Sequence, residues 1–470
     1  MELEKAAQAL FDTPSRSFAV KLWDGSLLLA PNGAVRGAVV FRTPSALTSL
    51  FPPASEQQIA RAFIDGDIEI EGNTIEVMEA AALWEGPTAQ VGLSAMLAAW
   101  AHRILSSAPG ALAASLRGHR HSKSRDRDAV QHHYDISNDF YRLFLDEEMV
   151  YSCAYFPTGF ESLETAQRNK LDLICRKLDL KADERFLDIG CGWGALLLHA
   201  AWRYRVRALG VTLSENQLAE GRRRLAALAP ASRAEMRAQD YRELPSAGPF
   251  DKVASVGMME HVGRARLGEY FASVFKLLRP GGLFLNHAIA DIASGLRTIA
   301  WLPERRRTFI QQYIFPDSEL IPIGEVCEAA EQAGFEVRDV EGLREHYADT
   351  LAHWLARLER RFAEAVGMVG EARARTWRLY LAASAVGFRI GRTGVYQLLL
   401  AKRLADGRAL AVPRYRAKWY DGLLEQPDHR PEPELPLGVE NGWAASGSAP
   451  SAKVGTGGEP HAVHSGEPST

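Results

Sequence analysis

The chain has 470 residues, of which 47% are hydrophobic and 24% charged, as in a globular protein of two or three domains. Its 55 Lys and Arg against 58 Asp and Glu leave a formal net charge of −3, which argues against a nucleic-acid partner. Its four cysteines lack CxxC spacing, which excludes a disulfide framework and disfavours a metal site. This composition predicts a chain from a reducing, cytosolic compartment.

Neither a secretory signal nor a membrane span is expected. The first residues, MELEKAAQALFDTP, include two glutamates and lack a basic stretch ahead of an apolar run. The densest apolar segment, at 91–100, is too short to cross a bilayer and contains Gly92 and Ser94. The sequence therefore predicts a cytoplasmic protein that can touch a membrane surface without crossing it.

Residues 1–116 are predicted to form a small α+β domain. Apolar and polar residues alternate over 17–43 around the turns Asp24-Gly25 and Pro31-Asn32-Gly33, which predicts β-hairpins. The pattern then predicts a helix at 56–63, a half-buried strand within DGDIEIEGN at 65–73, and a helix at 80–107.

A basic linker is predicted at 117–130. Its first part, 117–128, carries five basic residues and two aspartates with almost no apolar content. A solvated connection is one interpretation; a contact with anionic lipid headgroups is the other, since each basic residue near such a surface contributes about 1 kcal/mol.

Residues 131–425 are predicted to form an α/β domain with a doubly wound, parallel, Rossmann-like sheet, because strands alternate with helices from 167 to about 290. The expected strands are 186–189, 208–213, 252–256 and 282–288, and the expected helices are 195–204, 215–228 and 270–278. Residues 291–425 are expected to be mostly helical, with Trp354, Leu358 and Phe362 as a core stripe. The tail at 426–470 is predicted to be disordered.

Three glycines follow the first strand of this domain. The segment FLDIGCGWGALLL places Gly190, Gly192 and Gly194 between the strand and the next helix. Glycines at such a turn let the backbone approach a ligand, and the helix N-terminus favours negative groups. The spacing by itself also fits a nicotinamide dinucleotide site.

The ends of the next strands favour a different cofactor. A nicotinamide-binding fold uses an acidic residue at the end of its second strand, where this chain has GVTLS at 210–214. Asp188 in the glycine segment, and Asp240-Tyr241 after an expected third strand, supply a carboxylate and a ring. These groups suit the ammonium and the adenine of S-adenosylmethionine, so a dehydrogenase is disfavoured.

Further motifs occur in a fixed order along the chain. They are HYDISNDFY (133–141), MVYSCAYF (149–156), VTLSENQ (211–217), QDY (239–241), GMMEHVG (257–263), FLNHAI (284–289), QYIFP (312–316) and HYADTL (346–351). With the glycine segment, they resemble the cyclopropane-fatty-acyl-phospholipid synthase family, which includes mycolic acid cyclopropane synthases, over 120–405. The resemblance implies a class I methyltransferase domain with helical insertions, preceded by the small α+β domain.

The resemblance also implies the site residues. S-adenosylmethionine would be the methyl donor, bound by Tyr151, Ser152, Asp188, Gly190, Gly192, Gly194, Thr212, Gln217, Asp240 and Tyr241. A bound bicarbonate would be the base, held around Cys153, Glu260, His287, Ile289 and Tyr347. Taken singly, His287 and Tyr347 also suit core packing, and Cys153 suits a cavity wall better than a thiolate nucleophile.

The implied reaction adds the sulfonium methyl to a cis double bond of a phospholipid acyl chain and then removes a proton from that methyl, so that a cyclopropane closes. A carbocation needs a dry, aromatic cavity, for which Tyr134, Phe140, Tyr151, Tyr155 and Phe156 are candidates. The substrate implies a peripheral contact with the inner face of the membrane. The first domain resembles sterol-carrier-type lipid-binding domains, which suggests lipid handling or homodimer formation; a packing extension without a ligand is the alternative.

Three other functions stay open. The first is a methyl-branching or methylene-forming fatty-acyl methyltransferase, in which the carbocation is converted to a methyl-branched or methylene-bearing acyl chain. A small-amine N-methyltransferase of the plant alkaloid type shares YSC-like and EH-containing segments, but N-methylation needs no base held at His287, Ile289 and Tyr347. A non-catalytic lipid-binding protein with a relic cofactor fold would not bind S-adenosylmethionine.

Overall fold

The computed structural model describes residues 7–8, 10–31, 37–50, 56–84, 125, 136–228, 233–244, 248–292, 308–408, 413 and 415–423. Apart from Arg125, which forms a salt bridge with Asp317, the predicted linker lies outside these residues, as does the tail at 426–470. Two sheets organise the described part of the chain, one of four strands and one of seven. No helix in this part is long and apolar enough to span a membrane.

The four-stranded sheet belongs to the N-terminal region. Its strands are β1 (Ala19–Lys21), β2 (Leu27–Leu28), β3 (Gly37–Phe41) and β4 (Ile68–Gly72), in the order β2-β1-β3-β4. The hairpin predicted at Asp24-Gly25 is confirmed, with β1 antiparallel to β2 and Gly25 at a φ of +86°. The second predicted hairpin is wrong: β1 lies between β2 and β3 and pairs with β3 in parallel. In β4 the alternation is confirmed, because Ile68 and Ile70 are buried.

The helices around this sheet that are described in full are α1 (Pro44–Thr48), α2 (Glu56–Ile64) and α3 (Thr74–Leu83). The helix predicted at 56–63 is confirmed as α2. The start predicted at residue 80 is wrong, because α3 begins earlier, where the Asn73 side chain accepts from the N–H groups of Ile75 and Glu76. Trp84 follows α3 in an extended conformation, and the rest of the predicted segment, 85–107, lies outside the described residues.

The seven-stranded sheet has the order β7-β6-β5-β8-β9-β11-β10. Its strands are β5 (Arg185–Ile189), β6 (Arg207–Thr212), β7 (Ala234–Ala238), β8 (Phe250–Val256), β9 (Leu278–Asp291), β10 (Glu336–Gly342) and β11 (Thr393–Ala401). Strands β5 to β9 are parallel, as predicted, and β11 runs antiparallel to both neighbours. The prediction of mostly helical structure after 291 missed β10 and β11. Most of β11, TGVYQLLLA, is buried on both faces, so it shows little alternation.

The helices of this part are α4 (Asn138–Tyr141), α5 (Leu163–Lys177), α6 (Ala195–Arg203), α7 (Glu215–Leu228), α8 (Leu267–Leu277), α9 (Phe309–Tyr313), α10 (Ile323–Gln332), α11 (Arg344–Arg360), α12 (Phe362–Val369), α13 (Glu371–Arg389) and α14 (Ala417–Tyr420). The predicted helices at 195–204, 215–228 and 270–278 correspond to α6, α7 and α8. Trp354 and Leu358 are buried as predicted, but α11 ends before Phe362, which is only half-buried at the start of α12.

Two arginines of α13, the buried Arg375 and the half-buried Arg378, fasten the N-terminal region to the C-terminal helices. Arg375 donates to the carbonyls of Phe63 (2.7 Å) and Ile68 (2.9 Å) and to the Glu69 carboxylate (2.7 Å). Arg378 donates to Glu69 (2.6 Å) as well. One continuous apolar core runs from the four-stranded sheet into α11 and α13. The two regions therefore share buried charge and apolar contacts, while the predicted boundary at residue 116 stays a prediction.

Replacing Arg375 by methionine is expected to lower the free energy of unfolding by about 3–5 kcal/mol, because it leaves two carbonyls and a carboxylate without this partner. The measurement is urea denaturation followed by circular dichroism. Arg408→Met is the matched control, since Arg408 is exposed and pairs only with Asp406 among the described residues. Equal midpoints for the two variants would contradict the role given to Arg375.

Candidate active site

Two adjoining cavities lie at the carboxyl edge of the parallel strands. The first, about 170 Å³, is lined by residues that directly follow β5, β6, β7 and β8. The second, about 420 Å³, extends from the end of β8 toward α9, α11 and α13. Tyr151, Ser152, Gly257 and His261 line both cavities, so these residues form their common wall. Ligand sites of open α/β sheets occupy this edge.

The first cavity brings together nine of the ten predicted cofactor residues. They are Tyr151, Ser152, Asp188, Gly190, Gly192, Thr212, Gln217, Asp240 and Tyr241. Gly194 does not line the cavity; it is the N-cap of α6 at a φ of +86°. A Cβ atom there would lie 3.0 Å from Met236 Sδ, so this glycine serves the turn and the close packing beneath it.

A buried acid, Asp188, and a buried base, Lys170, line this cavity, and each affects the pKa of the other. Burial raises the pKa of Asp188 to about 7, and the nearby Lys170 opposes that shift. Burial lowers the pKa of Lys170 to about 8, and its Nζ donates to Ser152 Oγ at 2.7 Å. Lys170 therefore holds the common wall in place and supplies positive charge behind it.

Sequence reasoning missed Lys170. It stands on α5 between Ala166 and Ile174, one turn away on either side, and both of those residues are fully buried. A lysine in the middle of a buried helical stripe was the available signal, because such a group needs a partner. No motif included it.

At the ends of β6 and β7 the predicted residues are held by their neighbours. Asp240 accepts from the Arg242 N–H at 2.9 Å and forms a salt bridge with the Arg242 guanidinium at 2.6 Å. Thr212 Oγ1 donates to Gln217 Oε1 at 2.8 Å. The contact between Asp240 and Arg242 orients the short 3-10 helix that presents Tyr241 to the first cavity. Arg242, which sequence reasoning also missed, lines the same cavity.

All five residues predicted to surround the base line the second cavity. Glu260 is on a 3-10 helix after β8, and His287 and Ile289 are on β9. Cys153 precedes α5, and Tyr347 is on α11. Segments that are far apart in sequence therefore converge on one space.

Glu260 is buried and has one oxygen committed. Its Oε1 accepts from the Ile289 N–H at 2.6 Å, whereas Oε2 has no hydrogen-bond partner among the described residues. Burial raises the pKa of Glu260 to about 7. The free oxygen is a strong acceptor held in an apolar wall.

His287 supplies the complementary group. Burial lowers its pKa well below the ordinary value, so the ring is neutral at pH 7. With the Gln397 amide nitrogen as donor to Nδ1 (3.3 Å), the ring proton is on Nε2. That atom is also buried and unpartnered within the described structure. A free acceptor and a free donor in one cavity can hold a small, protonated oxyanion.

Cys153 lies in the cavity wall as a thiol. Burial raises its pKa far above the ordinary value, and Sγ contacts the carbonyl oxygens of Ala154 (3.2 Å) and Leu343 (3.7 Å). Tyr347 packs against the Phe388 ring, with centroids 4.7 Å apart. The raised pKa of Cys153 disfavours a nucleophilic thiolate, as the sequence predicted.

The prediction of the aromatic lining was largely wrong. Of the four candidates that the structure describes, only Tyr151 lines either cavity; its ring packs against Trp354 (5.1 Å) and its hydroxyl donates to Tyr380 (3.1 Å). Phe140 packs in the core, Tyr155 packs on His346 and Phe156 on His353, whereas Tyr134 lies outside the described residues. The rings that line the second cavity with Tyr151 are Phe309, Phe315, Tyr347, Tyr380 and Phe388. Phe315 belongs to the motif QYIFP and Tyr347 to HYADTL, whereas Phe309, Tyr380 and Phe388 come from helices that no motif includes.

Comparisons with known proteins agree with this geometry. The family model of mycolic acid cyclopropane synthetase matches residues 121–398. A protein of Pseudomonas putida named "probable fatty acid methyltransferase" is 38% identical over 394 residues, which cover 83% of this chain and 92% of that protein. The cyclopropane-fatty-acyl-phospholipid synthase of Escherichia coli is 35% identical over 290 residues, which cover 62% of this chain and 72% of that enzyme.

A solved structure shares the fold. Mycolic acid cyclopropane synthase CmaA1 in complex with SAH and CTAB matches with a TM-score of 0.55 and 35% identity, over 59% of this chain and 98% of that chain. The class I methyltransferase fold is thus confirmed, with β11 antiparallel in the seven-stranded sheet. The chain belongs to the mycolic acid cyclopropane synthetase family of S-adenosylmethionine-dependent methyltransferases.

Proposed function

We propose that this protein transfers a methylene group from S-adenosylmethionine to the cis double bond of an unsaturated phospholipid acyl chain and forms a cyclopropane ring, with bound bicarbonate as base. One observation carries the proposal. The cavity lined by the predicted cofactor residues adjoins a larger, mainly apolar cavity, whose wall holds Glu260 Oε2 and His287 Nε2, two atoms without a hydrogen-bond partner among the described residues.

The first cavity suits the methyl donor. In its ionised form, Asp188 attracts the donor's ammonium group, and the Tyr241 ring is placed for the adenine. The relative whose structure contains SAH shares this fold. When bound, S-adenosylmethionine supplies an electrophilic methyl on a sulfonium. Tyr151 and Ser152, in the common wall, then lie between the donor and the acyl chain.

Rigid positioning serves the first step. An alkene is a weak nucleophile, and alignment of reactants can contribute about 7–11 kcal/mol of the barrier. Tyr151 is held by its contacts with Trp354 and Tyr380, and Ser152 by Lys170. The aromatic walls exclude water and favour a cation. In this step a carbon–carbon bond forms as the carbon–sulfur bond breaks, and neutral S-adenosylhomocysteine remains.

Ring closure then requires a base. A proton leaves the transferred methyl, and its bonding pair forms the second ring bond. Bicarbonate in the second cavity would supply an oxygen base for that proton. Its hydroxyl suits the Glu260 Oε2 acceptor and its oxygens suit the His287 Nε2 donor, so these two atoms, which lack a partner among the residues described, fit this anion. Glu260 and His287 therefore orient the base and tune its basicity.

A second candidate function shares with the first every step up to formation of the carbocation. The relative from Pseudomonas putida covers more of this chain than the Escherichia coli synthase does, and its printed name is fatty acid methyltransferase. A methyl-branched or methylene-bearing acyl chain is the product in that case. With either product, the lipid substrate requires peripheral contact with the inner face of a membrane; homodimer formation through the N-terminal domain stays a prediction.

Glu260→Gln is expected to reduce cyclopropane formation by about 100-fold or more, because the amide no longer supplies a carboxylate to the base site. The assay uses methyl-labelled S-adenosylmethionine and vesicles of unsaturated phospholipid, with and without bicarbonate, and identifies the acyl products by mass spectrometry. Glu364→Gln, an exposed change on α12, is the matched control. Calorimetry should give the same S-adenosylhomocysteine affinity for both variants.

The products of the wild-type protein decide between the candidates. A ring-bearing chain whose formation needs bicarbonate supports the proposal. A methyl-branched or methylene-bearing chain supports the second candidate. Labelled small amines with unlabelled lipid would contradict both.

Binding of S-adenosylhomocysteine is expected to weaken as the pH falls from 7.5 to 5.5. The raised pKa of Asp188, about 7, means that its carboxylate is charged above that pH and neutral below it. A neutral acid cannot pair with the ligand's ammonium, so the affinity should fall by up to about tenfold per pH unit below 7. Titration calorimetry of the wild type and of Asp188→Asn measures this. The same pH slope in the asparagine variant would exclude Asp188 as its origin.

A further inference from the structure

The second cavity contains an arginine for which the reaction has no use. Arg392 lies between the end of α13 and the start of β11 and lines this cavity. Its Nε is buried and has no hydrogen-bond partner in the described structure, where the guanidinium also forms no salt bridge. Burial lowers the pKa of Arg392 to about 10, so it is charged at neutral pH. The residue as a whole is half-buried, and an anionic ligand would supply the acceptor that its buried Nε lacks among the described residues.

An acid from the N-terminal region lines the same end of the cavity. Glu56, at the start of α2, accepts from the Phe309 N–H at 3.0 Å through Oε1. Arg392 lies close enough to affect its titration, yet the two side chains form no salt bridge. A cation and a carboxylate that face one cavity without pairing are complementary to a zwitterion.

The strand register separates this end from the base site. Thr393, next to Arg392, pairs with Asp291, whereas Gln397 pairs with His287. Thr393 and Gln397 are four residues apart along β11, which corresponds to about 13 Å at about 3.3 Å per residue. The wall between them includes Ile289, Phe388 and Val395. This length of apolar wall accommodates several methylene groups between a headgroup and a double bond.

We infer that Arg392 and Glu56 form a headgroup subsite that selects zwitterionic phospholipids, with the phosphate bound by Arg392 and the ammonium by Glu56. This inference rests on the proposed function, because it assigns the polar end of the lipid cavity. It also gives the N-terminal region a direct part in substrate selection, since Glu56 comes from that region.

The test measures initial rates of methyl transfer in neutral-detergent micelles that contain one of three lipids with the same unsaturated chains: phosphatidylethanolamine, phosphatidylglycerol or diacylglycerol. The wild type should prefer them in that order. Arg392→Met should raise KM for both phospholipids by about tenfold or more and leave diacylglycerol unchanged, because only the phosphate loses a charged partner. Arg392→Lys should retain part of the preference for phospholipid.

Glu56→Gln should remove the preference for phosphatidylethanolamine over phosphatidylglycerol, since the amide keeps an acceptor for the Phe309 N–H but loses the charge. Arg408→Met and Glu364→Gln are the matched controls and should retain both preferences. S-adenosylhomocysteine affinity reports folding of every variant.

The outcomes separate the two ideas. If the wild type labels none of the three lipids, the proposed function fails. If the wild type labels lipid but Arg392→Met changes all three rates equally or none, the headgroup subsite is wrong and the proposed function stands. If Glu56→Gln leaves the ethanolamine preference intact, the assignment of the ammonium to Glu56 is wrong.

Discussion

The antiparallel pairing of β9 with β11 is the constraint on which the site depends. Nine consecutive residue pairs join the two strands, from Thr393 with Asp291 to Ala401 with Leu283. Side chains alternate along a strand, so this one register sets the levels of His287 and Ile289 on β9 and of Gln397 on β11. A shift by one residue would turn His287 away from the second cavity and separate it from Gln397.

Buried charge has two different uses in this molecule. Arg375 and Arg378 of α13 both donate to Glu69 of the N-terminal region and fasten the two regions together. At the cavities, Glu260 and His287 each keep one polar atom that has no hydrogen-bond partner within the described part of the chain. The first arrangement is closed and structural. The second leaves hydrogen-bonding capacity for a ligand, which is what a site that binds a small anion requires.

The common wall of the cavities links cofactor and substrate. Tyr151 and Ser152 are neighbours in sequence, but Tyr151 is held by the aromatic rings of α11 and α13 and Ser152 by Lys170 of α5. Methyl transfer needs the two ligands in contact and water excluded, so both residues must be rigid. The proposed participation of Glu56 extends this coupling to the four-stranded sheet.

Sequence by itself determined those features that local patterns encode. The alternation of strands and helices from β5 to β9, the glycine turn and the ordered motifs were all readable, because hydrophobic period and turn chemistry act over a few residues. The same motifs predicted the residues that the structure gathers around the two cavities. Only the tertiary structure decided the rest. Most of β11 is buried on both faces and shows little alternation. Other features join residues that are distant in sequence: the contact of Lys170 with Ser152, the rings of Phe309 and Phe388 in the second cavity, and the approach of Glu56 to Arg392. Such contacts arise from packing between elements, which no local period records.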